Sequence, residues 1–332
     1  MTPNWKRRLA QVAVGTLGGL VLGASAGEVG FLDVNGTFSR IEIPGAFDTS
    51  ARGINNSGEV VGSFHDSNFP YGHGFLKVGG TSSTLDAPAV HRPPAAAPET
   101  SAHGINNSGQ VVGTYSDSEF PFTHGFLYAG GTFSTIVASI QPPFAGAAPQ
   151  TSANGVNDAA QIVGSVTFSD KMGQGTVVKG FLDVAGTFSE IDVPGASQVS
   201  ASGINNAGQI VGTFVDSAGT HGFLKVGGTF STIDVPGALG TEASGINNAG
   251  QVVGSFEDSA GTHGFLDSGG TFSIIDVPGA ERTVAYGIND TGKIVGAFLP
   301  GAVPEPSSLV LFSVGLLGLG LAWYRRVSAH LC

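Results

Sequence analysis

Two landmarks alternate along this chain in fixed order. Gly-Phe-Leu begins at Gly30, Gly74, Gly125, Gly180, Gly222 and Gly264, and Gly-Ile-Asn or Gly-Val-Asn begins at Gly53, Gly104, Gly155, Gly203, Gly245 and Gly287. Six copies of one unit are therefore present, and a single copy of such a unit cannot bury its apolar side alone. The last three Gly-Ile-Asn landmarks lie 42 residues apart, and the earlier gaps stretch to about 50, a length suited to four short strands with their turns.

The residues between the landmarks favour strands. Val, Ile, Thr and Phe dominate, helix formers are scarce outside the two ends, and the 53 glycines recur at fixed places where turns need them. In the fifth unit, His221 to Val226, Thr229 to Val235, Thr241 to Asn247 and Gln251 to Asp258 read as four strands. They are separated by Gly227-Gly228, Pro236-Gly237 and Asn248-Ala249-Gly250. Val252 and Val253 point to opposite faces, as do Phe230 and Ile233, so both faces of the sheet are apolar. A recurrent Phe (Phe31, Phe75, Phe126, Phe181, Phe223, Phe265) is expected to fill the gap between neighbouring sheets. The fold class expected is all-β, a six-bladed β-propeller of four-stranded antiparallel blades over residues 27–301, with a β-solenoid as the alternative. Ring closure either rests on packing alone or has the N-terminal strands complete the last sheet. The second also joins the ends by hydrogen bonds, and it is the closure preferred.

The two ends differ from the body. Residues 1–26 carry Lys6, Arg7 and Arg8, an apolar run from Leu9 to Leu22, and Ala24-Ser25-Ala26. This is the pattern of a helical secretory signal peptide cut after Ala26 by signal peptidase, an uncleaved anchor being the alternative. Residues 302–332 carry Val303-Pro304-Glu305-Pro306, an apolar run from Leu309 to Tyr324 long enough for a transmembrane helix, and Arg325-Arg326 on its cytoplasmic side. In order and spacing this resembles the PEP-CTERM sorting signal. The resemblance implies an exosortase-type processing enzyme as partner, transient inner-membrane anchoring, and delivery to the cell surface or beyond in a Gram-negative bacterium that makes extracellular polysaccharide. Val327 to Cys332 extend the tail further than that pattern leads one to expect. The repeats resemble the HAF family of extracellular repeats, with His-Gly-Phe at His73, His124, His221 and His263. That likeness implies an extracellular repeat protein and no particular activity.

Charge and cysteine narrow the function. The net charge is −11, and the body without its two ends holds 9 basic against 24 acidic residues, so phosphate backbones are repelled and nucleic acid is not an expected partner. Cys332 is the only cysteine, which excludes an internal disulfide or a cysteine-based zinc site. No phosphate loop, Gly-x-Ser-x-Gly, His-Glu-x-x-His or calcium loop occurs.

Three groups of residues remain as candidates. Asp and His flank a turn at Asp66 and His73, Asp117 and His124, Asp216 and His221, and Asp258 and His263, a combination able to ligate a metal or move a proton. Four equivalent copies suit a structural task better than a single catalytic one. No cofactor is expected, calcium being the one these acids leave open. Asn-Asn pairs (Asn55-Asn56, Asn106-Asn107, Asn205-Asn206, Asn247-Asn248) are expected to cap turns and to accept left-handed backbone. Insertions break the repeat only between the second and third strands and between the fourth and the next first strand, which places them at one end. There Phe69, Tyr71, Phe120 and Phe122, beside His91 and Arg92, form the candidate ligand face. The function expected is that of an exported, non-catalytic surface or matrix protein that binds polysaccharide or an envelope protein. The alternatives are an extracellular carbohydrate-active enzyme and a purely structural component of a biofilm matrix.

Overall fold

The structure, a computed structural model, describes residues 27–67, 72–88, 99–116, 123–143, 148–169 and 176–301. β1 (Val29–Val34) and β2 (Thr37–Ile41) form a first hairpin. Four blades follow, each an antiparallel sheet whose strands lie side by side in chain order. The first is β3 (Ala46–Ile54), β4 (Val60–Asp66), β5 (His73–Val78) and β6 (Thr81–Thr84). The second is β7 (Thr100–Ile105), β8 (Val111–Ser116), β9 (Thr123–Ala129) and β10 (Thr132–Ile136). The third is β11 (Ala148–Val156), β12 (Ile162–Ser169), β13 (Thr176–Val184) and β14 (Thr187–Ile191). The fourth is β15 (Gln198–Ile204), β16 (Ile210–Val215), β17 (Thr220–Val226) and β18 (Thr229–Ile233). β19 (Gly240–Ile246), β20 (Val252–Glu257), β21 (Thr262–Asp267), β22 (Phe272–Ile275), β23 (Ala280–Ile288) and β24 (Ile294–Pro300) complete the described chain.

This architecture is an all-β propeller, and it corrects the expectation of six separate four-stranded blades. Four such blades are present, and the remaining eight strands form one sheet, ordered β19-β20-β21-β23-β24-β1-β2 with β22 paired to β21. A single parallel bridge, Thr262 opposite Arg282, fuses its two halves. β23 starts early, and a bulge between Ala280 and Arg282 bends its first residues, which brings Arg282 beside β21. No helix occurs among the described residues. The helical signal peptide and the transmembrane helix expected at the two ends lie outside them.

Closure takes the hydrogen-bonded form. β1 pairs with β24 from Val29 opposite Phe298 to Asp33 opposite Ile294, so the N-terminal hairpin completes the sheet begun by β23 and β24. Arg282 adds an ion pair to Glu28 at 2.8 Å across the same junction.

The period-2 pattern explains the packing. Val252 enters one seam with Val211, Ile233 and Phe265, while Val253, its neighbour, enters the next with Phe31, Ile275 and Ile288. Each recurrent Phe is fully or almost fully buried in such a seam, a burial that contributes roughly 2 to 3 kcal/mol. The strand before it supplies the room. Phe223 lies across from Gly212, and any side chain on Gly212 would meet the Phe223 ring at 2.8 Å. Hairpin turns at the rim, such as Gly130-Gly131 (φ 57° and 85°), take positive φ at both central residues, which matches the twist of the strands they join.

Candidate functional site

The Gly-Ile-Asn strands β3, β7, β11, β15, β19 and β23 surround the axis, and each carries a β-bulge at the same place. Pairing with the following strand slips by one residue between Ala51 and Gly53, Ala102 and Gly104, Ala153 and Gly155, Ala201 and Gly203, Ala243 and Gly245, and Ala285 and Gly287. The glycine after the bulge allows close approach of the neighbouring strand: a Cβ on Gly245 would lie 2.7 Å from the Tyr286 carbonyl oxygen and 3.2 Å from the Gly287 Cα. The unpaired residue is Arg52, His103, Asn154, Ser202, Ser244 or Tyr286. A bulge re-aims its side chain, and these six line one axial pocket of about 200 Å³. The strands run from the inserted-loop end toward the Asn turns, so the pocket lies on the loop side of the glycine ring.

What distinguishes this position is its diversity. Ala before it and Gly after it are present in every copy, and the second residue after it is Ile in five copies and Val156 in the other. The bulged position holds five residue types in six copies. A bulge constrains backbone and leaves the side chain free, so folding alone does not select an arginine, a histidine and a tyrosine here.

The lining groups divide into two kinds. Asn154 and His103 are tied down: Asn154 Nδ2 donates to the Ala201 carbonyl at 2.8 Å, its Oδ1 accepts the Ser152 hydroxyl at 2.6 Å, and His103 Nδ1 lies 3.2 Å from the Ala153 carbonyl. Burial, and after it the Arg52 cation, pushes the His103 pKa down to about 3. The ring is therefore neutral; because a carbonyl only accepts, its proton sits on Nδ1 and Nε2 is left as an acceptor. Arg52, Ser202, Ser244 and Tyr286 make no side-chain hydrogen bond to protein among the described residues. The Arg52 guanidinium lies 5.0 Å over the Tyr286 ring, and its buried Nε has no partner. Burial also raises the Tyr286 pKa, with Arg52, Glu28, Arg282 and Glu242 acting on it from the surroundings. The pocket lining thus offers one permanent cation and several neutral polar groups. It contains neither a pair of carboxylates nor a serine hydrogen-bonded to a histidine.

The opposite end of the axis is uniform. The side-chain amide of Asn55 donates to the Asn106 carbonyl, Asn106 to Asn157, Asn157 to Asn205, Asn205 to Asn247, Asn247 to Asn289 and Asn289 back to Asn55, all at 3.0 to 3.2 Å. A second ring follows one residue later, each backbone N–H donating to the side-chain oxygen of the next copy through Asn56, Asn107, Asp158, Asn206, Asn248 and Asp290. A pit of only about 70 Å³ remains between them. Burial works to raise the pKa of Asp158, but hydrogen bonds from Asn107 and Asn206 outweigh it and hold the carboxyl below its usual range; Asp290 is held down in the same way by Asn248 and Asn56. The Asn pairs do cap turns, as when Asn205 Oδ1 accepts from Ala207 and Gln209. The expected left-handed backbone is found elsewhere: positive φ falls on Gly58, Gly109, Gly208, Gly250 and Gly292, and on Ala160 (φ 56°) in the third copy.

The aromatic face lies beyond view, since Phe69, Tyr71, His91, Arg92, Phe120 and Phe122 are outside the described residues, as are Asp117 and the sorting residues Val303, Pro304, Glu305, Pro306, Arg325 and Arg326. The Asp and His pairs prove to be parts of longer chains. His73, His221 and His263 each place Nδ1 on a carboxylate after the second strand, Asp86 at 2.8 Å, Asp234 at 2.9 Å and Asp276 at 2.9 Å. Asp216 and Asp258 stand 3.4 Å from the Nε2 of His221 and His263, and they accept backbone N–H bonds from Ala218 and Gly219 and from Ala260 and Gly261. Burial lowers the His263 pKa, but Asp276 and Asp258 outweigh it and raise the value above its ordinary level. His124 tilts against Tyr115 with ring centres 5.4 Å apart, and Asp66 closes β4 opposite Ala46. Among the described residues no three His, Cys, Asp or Glu side chains are grouped to hold a metal.

Residues 302–326 match the PEP-CTERM protein-sorting motif, which marks a protein for export and membrane-associated sorting in Gram-negative bacteria. No curated protein matches this chain. In fold the chain is similar to a TolB candidate from Agrobacterium tumefaciens, at 11% identity over 83% of this chain and 100% of that one, with a TM-score of 0.58. An AofleA mutant from Arthrobotrys oligospora is similar at 13% identity over 81% and 83% of the two chains, with a TM-score of 0.45. These likenesses concern the fold alone.

Proposed function

We propose that this exported, exosortase-sorted propeller is a non-catalytic binding module of the cell surface or extracellular matrix, and that it takes its ligand in the axial pocket on the loop side of the ring. The observation that carries the reading is the bulged position: it holds five residue types in six copies, and four of its six side chains make no hydrogen bond to protein among the described residues. Unlike groups gathered at one point suit recognition of one asymmetric molecule. Polar groups without the carboxylate pair or activated nucleophile that glycan cleavage needs favour binding over turnover. Loops around the mouth are the natural place for contacts to a longer glycan or an envelope protein.

The test is a glycan-array and thermal-shift screen of the purified exported protein, run beside the double variant Ser202→Ala/Ser244→Ala, with product analysis of every hit. Saturable binding without turnover, weakened in the double variant, is the expected result. Turnover of the bound ligand would replace the binding module by an enzyme. Hits indifferent to the double variant would remove the ligand from the axis.

A further inference from the structure

We infer that the axial pocket recognises a small hydroxylated monocarboxylic acid, its carboxylate held by Arg52 and its hydroxyls by the other lining residues, an inference that rests on the binding reading above. Arg52 makes no ion pair and no hydrogen bond to protein among the described residues, although its Nε is buried. Its contact is the Tyr286 ring, which holds the guanidinium plane without using its donors. A desolvated donor without a partner is costly, and a planar, doubly accepting carboxylate is the group whose geometry satisfies that fork.

Charge sets how many acid groups the ligand carries. One cation in the lining faces a chain of net charge −11, with Glu242 and the Arg282–Glu28 ion pair near the same tyrosine. A polyanion or a doubly charged phosphate gains one favourable contact and meets repulsion from the rest, whereas a monocarboxylate is neutralised. Volume sets its size. About 200 Å³ holds roughly six or seven waters at ~30 Å³ each, the space of a single sugar-sized unit. The remaining lining matches hydroxyls: Ser202, Ser244 and Tyr286 both donate and accept, and His103, protonated on Nδ1 toward Ala153, accepts at Nε2. Such an acid is supplied either free in solution or as the terminal acidic sugar of a glycan.

Isothermal titration of the purified exported protein separates these cases with four probes: gluconate as a free acid, methyl glucuronide as a chain terminus, the methyl ester of that glucuronide, and glucose. The expected result is binding of at least one acid, weakened about tenfold to a hundredfold in its neutral counterpart and in Arg52→Gln, and partly restored in Arg52→Lys. Thermal unfolding of Arg52→Gln is expected to stay close to that of the parent, because only the Tyr286 ring contact is lost and no ion pair or hydrogen bond to protein goes with it. Preference for the glucuronide assigns the glycan end, and preference for gluconate the free acid. Equal binding of glucose and the acids, or acid binding indifferent to Arg52→Gln, overturns the inference; if Ser202→Ala/Ser244→Ala still weakens that binding, the axial binding module survives. Failure of all four probes also overturns it, and the broader screen then decides the binding module separately.

Discussion

The two ends of the propeller axis are built from the same six strands, yet they obey different rules. At the Asn end the first ring is Asn in all six copies, the second is Asn or Asp, and every amide is used, in two closed rings of hydrogen bonds. Three residues earlier on each strand, beyond the glycine ring, the six side chains are of five types and four make no hydrogen bond to protein among the described residues. Repetition with full satisfaction is what a structural lock needs, and diversity with open donors is what a ligand needs.

The contrast can be broken by substitution. Asn205→Ala removes the acceptor of two backbone N–H groups and the donor to Gln209 and Asn247, and urea unfolding should show a loss of about 3 kcal/mol. Ser202→Ala, three residues away, should change stability by less than about 0.5 kcal/mol, being without a protein partner. Comparable losses from the two would erase the distinction between the ends. Gly245→Ala tests the ring between them: its methyl would press on the Tyr286 carbonyl, and a loss of about 1 to 3 kcal/mol is expected in the same assay.

Acid should act unequally on the ends. His103 is neutral in the fold with a pKa pushed down to about 3, while the unfolded side chain titrates near 6.5. Between these values the unfolded chain binds the extra proton, so stability from this group is whole above pH 6.5 and is lost as pH falls toward 3, about 2 kcal/mol of it by pH 5. Urea midpoints measured from pH 7.5 to 5 should fall in the parent and flatten in His103→Gln. Asp158 and Asp290, held below their ordinary range, keep the Asn end intact over that interval, because their contribution fades only as pH falls below the usual carboxylate values. The smallest effect sharpens the uniform end further. Ala160 alone takes the left-handed place that Gly fills in the other copies, and Ala160→Gly should raise stability by about 1 kcal/mol in thermal unfolding.

Much of this molecule is legible in the chain. Strand positions, the Gly-Gly turns, the seams entered by Val252 and Val253, and the buried Phe series follow from a period-2 pattern set within a longer repeat, because alternation and turn chemistry are local. The site was less so. A strict alternation gives no sign of a bulge, and residue 52 and its equivalents then read as ordinary strand positions; the available signal was that the residue before each Gly-Ile-Asn changes while its neighbours do not. Pairing Asp216 with His221 across a turn was visible, whereas Asp234, 13 residues further along, becomes a partner only when the second strand folds back.

By itself, then, the sequence determined an exported all-β repeat with both sheet faces buried and a C-terminal sorting motif, since periodicity, turn residues and terminal signals are properties of short segments. The tertiary structure decided the fusion of eight strands through Thr262 and Arg282, the pairing of β1 with β24, and the meeting of Arg52, His103, Asn154, Ser202, Ser244 and Tyr286. Those six residues are spread over 235 positions from 52 to 286, and only the closing of a ring brings them to one axis.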